Sequence, residues 1–139
     1  MVIVLHAYEL NLVRFPVIAG ADFVADLIAG VRDGRFPAQY DVLMDFAQSE
    51  RLDVPIERLI LLATQRRASL PAEPVASVRS AAVGANDAVW ATMETWAAFF
   101  HEPLRPLLHQ RVETLEAALA WIGKPEALAD VRAALTAPQ

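Results

Sequence analysis

Few side chains in this sequence are of a type and spacing that could do chemistry. His6, His101 and His109 are its only histidines, and it has no cysteine. No two histidines stand at i, i+3 or i+4, and there is no His-Glu-x-x-His pair, so spacing builds no metal site. His101 closes an apolar helical run, where a cation complements the negative end of the dipole, and His6 falls in a strand-like run. The serines Ser49, Ser69, Ser77 and Ser80 occupy no Gly-x-Ser-x-Gly elbow, so no catalytic residue is assigned. A triad assembled only in space would leave no such trace. Absent thiols exclude zinc fingers, thioredoxin chemistry, cysteine nucleophiles and disulfide frameworks. The five glycines are spread singly and read as turn or cap residues, which leaves no phosphate cradle and no expected cofactor. Val83-Gly84-Ala85-Asn86-Asp87 comes nearest to an anion site, but Asp87 would repel an anion and capping accounts for Asn86.

The composition points the same way, toward binding. With 139 residues, 55% hydrophobic and 21% charged, the chain can bury a core without disulfides or a structural metal, and disorder is excluded. The net charge is −5, Lys124 is the only lysine, and the arginines are scattered apart from the pair Arg66-Arg67. No basic stripe tracks a phosphate backbone, so nucleic acid is not an expected partner. The amino-terminal MVIVLHAYEL lacks the basic segment of a signal peptide. The longest apolar stretch, 89–100, is broken by Glu94 and falls short of the ~20 residues that span a bilayer. A cytoplasmic location without a transmembrane segment is the expectation.

The elements that must position any site follow from periodicity. Residues 2–8 and 12–18 read as two strands joined across Glu9-Leu10-Asn11, with Pro16 restricting the second to an edge or bulge. Asp22 caps a first helix over 22–33, with Gly34 as its C′ residue. Residues 40–46 are nearly all apolar, the pattern of a central strand covered on both faces. A second helix starts at Pro55, capped by Asp53 or Val54, and buries Ile56, Leu59, Ile60, Ala63 and Leu70, with Leu61 and Leu62 widening the stripe. Residues 75–83 form a strand ended by Gly84, 87–101 a third helix, and 104–109 a last strand. Thr114 and Gly123 bound a fourth helix, and a fifth starts at Pro125. The order ββαβαβαβαα makes an α/β fold, one domain with a mixed sheet of four to five strands.

Asp33-Gly34-Arg35-Phe36 before Tyr40-Asp41-Val42-Leu43-Met44-Asp45, then Val83-Gly84-Ala85-Asn86-Asp87 and Ala117-Ala118-Leu119-Ala120-Trp121-Ile122-Gly123, resembles the small bacterial STAS-like domains. These are related in fold to the anti-sigma-factor antagonists and, more remotely, to lipid-binding CRAL-TRIO domains. The resemblance covers residues 1–123 and leaves 124–139 as an added helix packed on the same domain. It implies a regulatory or interaction module whose contacts cluster where the third strand meets the second helix. In phosphoswitch members a serine at the start of that helix accepts phosphate. Here Asp53 is followed by Val54 and Pro55, and Ser49 is the only nearby hydroxyl.

Two candidate sites follow. Open α/β sheets bind ligands beyond the carboxyl ends of their parallel strands, a rim built here from Asp45, Gln48, Ser49, Gly84, Asn86 and His109. The third helix carries one stripe, Val89, Met93, Trp96, Ala97 and Phe100, which leaves Trp90 and Phe99 to the side. Those rings are buried by the last helix, meet a second subunit, or border a hydrophobic ligand. The leading expectation is a non-catalytic regulatory or protein-interaction domain, homodimeric through Trp90 and Phe99 or bound to another protein. The alternative is a carrier or sensor of a small hydrophobic ligand or lipid, held in an apolar cavity between the sheet and the second and third helices. An enzyme with a spatially assembled site is the remote third.

Overall fold

Residues 40–46, the run that reads as apolar on both faces, hold a strand with Leu43 and Met44 in cores on opposite sides of the sheet. A computed structural model describes residues 1–73, 76–103 and 106–137. Strand β1 (Val2–Leu5) turns through a 3-10 helix at His6–Tyr8, with Glu9 in the left-handed region, into β2 (Leu10–Arg14). β3 (Ile18–Ala19) and helix α1 (Ala21–Arg32) follow, then β4 (Asp41–Asp45), β5 (Arg51–Leu52), α2 (Ile56–Ser69) and β6 (Val78–Val83). The described chain continues with α3 (Asp87–Ala97), β7 (Leu107–Val112), α4 (Leu115–Ile122) and α5 (Leu128–Thr136). Five strands form a mixed sheet in the order β1-β2-β4-β6-β7, antiparallel between β1 and β2 and parallel elsewhere, while β3 and β5 pair as a separate two-stranded ribbon.

That strand order fixes the layers. From β2 to β4, β4 to β6 and β6 to β7 the chain always steps the same way across the sheet, so right-handed crossovers put α1, α2 and α3 on one face. The other face would be bare without α4 and α5. Leu10, Leu12, Leu43, Ala81 and Val83 point to that second face and join Ala118, Leu119, Ala127, Val131 and Leu135 in one core cluster. Their neighbours Val13, Met44 and Ala82 face the crossover side and pack with Leu59, Val89, Met93 and Trp96. Alternate burial of this kind is what period-two side chains in a doubly covered sheet produce. The α/β class, the mixed sheet and the central β4 are as the sequence pattern predicts.

Several expectations are corrected. The first strand ends at Leu5, and Leu10 and Asn11 belong to β2, so the turn is carried by His6–Glu9. The second predicted strand stops at Arg14, and Ile18 pairs instead with Arg51 in the small ribbon. Gly20 precedes α1 as its cap, with Asp22 in the first turn, and Pro55 itself occupies the cap position of α2. Gly34 follows α1 with φ of 75°, the conformation expected of it. In α2 only Leu59, Leu62 and Ala63 are buried, while Ile56, Ile60 and Leu61 are 54%, 46% and 50% exposed. At about 100° per residue, Leu61 lies on the far side of the helix from Leu59, and Ile60 at its flank. The last helix covers the opposite sheet face from α3 and so does not bury Trp90 or Phe99. The predicted starts of the strands at 75 and 104 lie outside the described residues. One link ties α5 back to the β1–β2 turn: the Tyr8 hydroxyl donates to Asp130 Oδ2 at 2.6 Å, which with some desolvation holds the phenol pKa above its ordinary value.

Candidate functional site

Each polar residue of the carboxyl rim already has a structural partner. Asp45 closes β4, pairs with the Arg14 guanidinium at 3.3 Å and accepts the Ala47 N–H at 3.0 Å. Gln48 Nε2 donates to the Phe15 carbonyl at 3.1 Å, and the buried Ser49 hydroxyl donates to the Pro16 carbonyl at 2.8 Å. Asn86 caps α3 by accepting the Val89 N–H at 2.8 Å, while its Nδ2 reaches the Glu50 carbonyl at 3.2 Å. Gly84 adopts φ of 73°, and a Cβ there would stand 3.5 Å from the Ala47 backbone. The rim is therefore a set of stitches holding the β4–β5 loop against β2 and α3. Ser49 in particular offers no exposed hydroxyl to a kinase. Among the described residues no three His, Asp or Glu side chains gather as a metal set.

The sixth rim residue lies elsewhere. His109 is the third residue of β7, in register with Ser80 of β6, Val42 of β4 and Asn11 of β2. This row crosses the sheet near the amino ends of the parallel strands, on the crossover-helix face. Above it is a cavity of about 170 Å³. Its floor includes Asn11, Val13, Val42, Met44 and His109, and its roof Leu27 and Val31 of α1, Leu62 and Arg66 of α2, and Met93, Trp96 and Ala97 of α3. Phe36 and Phe100 close the sides. The short side chain of Ala97 is among the roof residues and fills little of the space. Trp90 packs beside the cavity with its ring 5.0 Å from that of His109, and Phe99 is half-buried against the same core cluster. Both rings are engaged within the chain.

Gly30 stands behind this wall through its contact with Phe36, and the reading of every glycine as a turn or cap residue does not hold for it. It lies inside α1, and a Cβ on it would fall 2.1 Å from the Phe36 ring. The close approach of Phe36 explains a glycine where alanine would favour the helix by roughly 0.5–1 kcal/mol.

Asn11 is the residue that sequence reading missed. It is 6% exposed in the middle of a strand buried on both faces. Its Nδ2 donates to the Pro37 carbonyl at 2.9 Å, which fixes the amide orientation because a carbonyl can only accept. Oδ1 then points away, buried and without a hydrogen-bond partner. An orphaned acceptor of this kind costs about 1–3 kcal/mol. The signal was present in Leu10-Asn11-Leu12-Val13, one polar residue inside an apolar run, once the turn is placed before Leu10.

No helix among the described residues is long and apolar enough to cross a membrane. The chain matches no protein-family model, no curated protein and no solved structure.

Proposed function

We propose that this chain is a non-catalytic binding domain that holds a small apolar molecule between its sheet and the three crossover helices. The cavity carries the reading: it has apolar walls, aromatic sides and one buried acceptor left without a donor. Apolar cavities of about 150 Å³ take a benzene-sized guest, so the volume suits a ligand of one ring or a short chain. The resemblance to STAS-like domains, with their remote lipid-binding relatives, supports the same reading. The absence of a recognisable catalytic motif supports a carrier or sensor over an enzyme.

The test is an NMR titration of the chain with benzene, toluene and short alkanols. Shifts confined to Val13, Met44, Met93, Trp96 and their neighbours are expected, and they vanish in Ala97→Phe, which fills the cavity from the roof. Uniform small shifts in both proteins would overturn the reading.

A second reading, a regulatory domain that docks a protein, is favoured by the exposed Ile56, Ile60 and Leu61 on α2. A homodimer through this helix is its simplest form. Light scattering at rising concentration would show it as a mass increase abolished by Ile60→Asp, and a monomer throughout would sink that form.

A further inference from the structure

The proposed ligand site has a chemical polarity that narrows its occupant. We infer that the cavity takes a neutral one-ring molecule carrying a hydroxyl or N–H donor, phenol-like in class, whose donor satisfies Asn11 Oδ1. This rests on the cavity being a ligand site, and it adds which head group the site selects.

The argument runs from the amide outward. Pro37 O holds Asn11 Nδ2, so the oxygen is the amide atom left over for a guest in the cavity that Asn11 lines, and an oxygen acceptor selects a donor. A carboxylate head would set acceptor against acceptor. An ammonium head would lose its hydration among walls of Val, Leu, Met and aromatic residues, with no carboxylate among the lining residues to compensate. A neutral hydroxyl avoids both penalties. Trp96, Phe36 and Phe100 supply aromatic faces and edges for a ring, which favours an aromatic guest over a chain of similar size. Oδ1 has no surface open to water in this conformation, so a donor reaches it only when the side chains around it shift, and the flexible Met44 and Met93 that line the same cavity give the wall that freedom. A site built around a hydrogen bond discriminates strongly against the analogue that cannot make it, because the buried partner is then left unpaired.

The Arg66 guanidinium also borders the cavity, which makes an anionic head the rival occupant. Calorimetric titration of the full chain with phenol, toluene and benzoate separates these cases. The expected order is phenol tighter than toluene by tenfold or more, with benzoate weakest. In Asn11→Leu the phenol preference should collapse to within about twofold while toluene binding persists or strengthens. Phenol and toluene binding equally to the unaltered chain would overturn the head-group assignment, because the amide oxygen would then contribute nothing to binding. Benzoate binding tightest would overturn it in favour of Arg66. Toluene binding in either of those outcomes would still uphold the cavity as a site, whereas no binding by any of the three probes would remove both proposals. The comparison within the unaltered protein stands even if Asn11→Leu folds poorly.

Discussion

The two ends of the parallel strands differ in what they do with polar groups. At the carboxyl ends Asp45, Gln48, Ser49 and Asn86 form a dense polar cluster in which each side chain is matched to a backbone group or a charge. At the amino ends the walls are mostly apolar, with Arg66 and His109 at their margin, and one amide oxygen, on Asn11, has no partner. Polar density is thus a poor guide to a site in this fold. Satisfied polar groups hold loops in place, and the unsatisfied one is where the proposed ligand would bind.

Breaking the rim should therefore cost stability, and breaking the cavity should cost binding. The largest effect is expected at Asp45. Asp45→Ala leaves the largely buried Arg14 without its carboxylate and the Ala47 N–H without its acceptor, a loss of about 2–4 kcal/mol. Urea unfolding measures it, and the remaining folded protein should still bind a cavity ligand. Gly30→Ala comes next. The new Cβ collides with the Phe36 ring, and overpacking of this kind costs about 1–3 kcal/mol against a smaller gain in helix propensity. Unlike Asp45→Ala it should also weaken toluene binding, because Phe36 is displaced from the cavity wall. If Gly30→Ala left binding unchanged while Asp45→Ala abolished it, the assignment of the two ends would have to be exchanged.

Asn86→Ala removes a cap from α3 and is expected to cost about 1 kcal/mol, read in the same unfolding experiment. A smaller effect lies at the Tyr8–Asp130 link on the other sheet face. Its raised phenol pKa means the folded state holds the proton more tightly than the unfolded chain does. The contribution is complete below the unfolded value of about 10 and is lost as pH rises through the folded one. Tyr8→Phe should thus lower the melting temperature slightly at neutral pH and narrow its gap to the parent protein as the solution becomes strongly alkaline.

Much of this architecture was legible because period and punctuation agree: Val42-Leu43-Met44 announced a doubly buried strand, and Asn86, Thr114, Gly34 and Gly123 marked helix ends by their own chemistry. The cavity was legible only as a possibility between the sheet and two helices, since its volume depends on how helices splay over the twist. What the sequence hid was tertiary. Ile56 and Ile60 look like core residues until the direction of α2 is known. Trp90 looked surplus to one stripe because the reach of the sheet out to His109 is not written in helix three. A connection read across Glu9-Leu10-Asn11, where the chain turns at His6–Glu9, hides Asn11 and with it the one polar group on the cavity floor that has no structural partner for its oxygen.

The smallest effect, and the sharpest division between the two ends, is expected at Asn11 itself. Replacing a buried, hydrogen-bonded asparagine ordinarily destabilises, as Asn86→Ala should. Asn11→Leu differs in what it leaves behind. The Pro37 carbonyl keeps the Tyr40 N–H at 3.1 Å, so losing Nδ2 strands no acceptor there. The orphaned Oδ1 disappears with its desolvation penalty, and a leucine of the same branched shape but larger volume has the adjoining cavity to take up its methyl groups. The sum should be neutral or stabilising by up to about 1 kcal/mol, at the expense of selectivity for a donor-bearing ligand. A loss of more than about 1 kcal/mol in urea unfolding would instead make Asn11 a structural residue of the same kind as Asn86, retained for its bond to Pro37, and the contrast between the two ends of the sheet would fall with it.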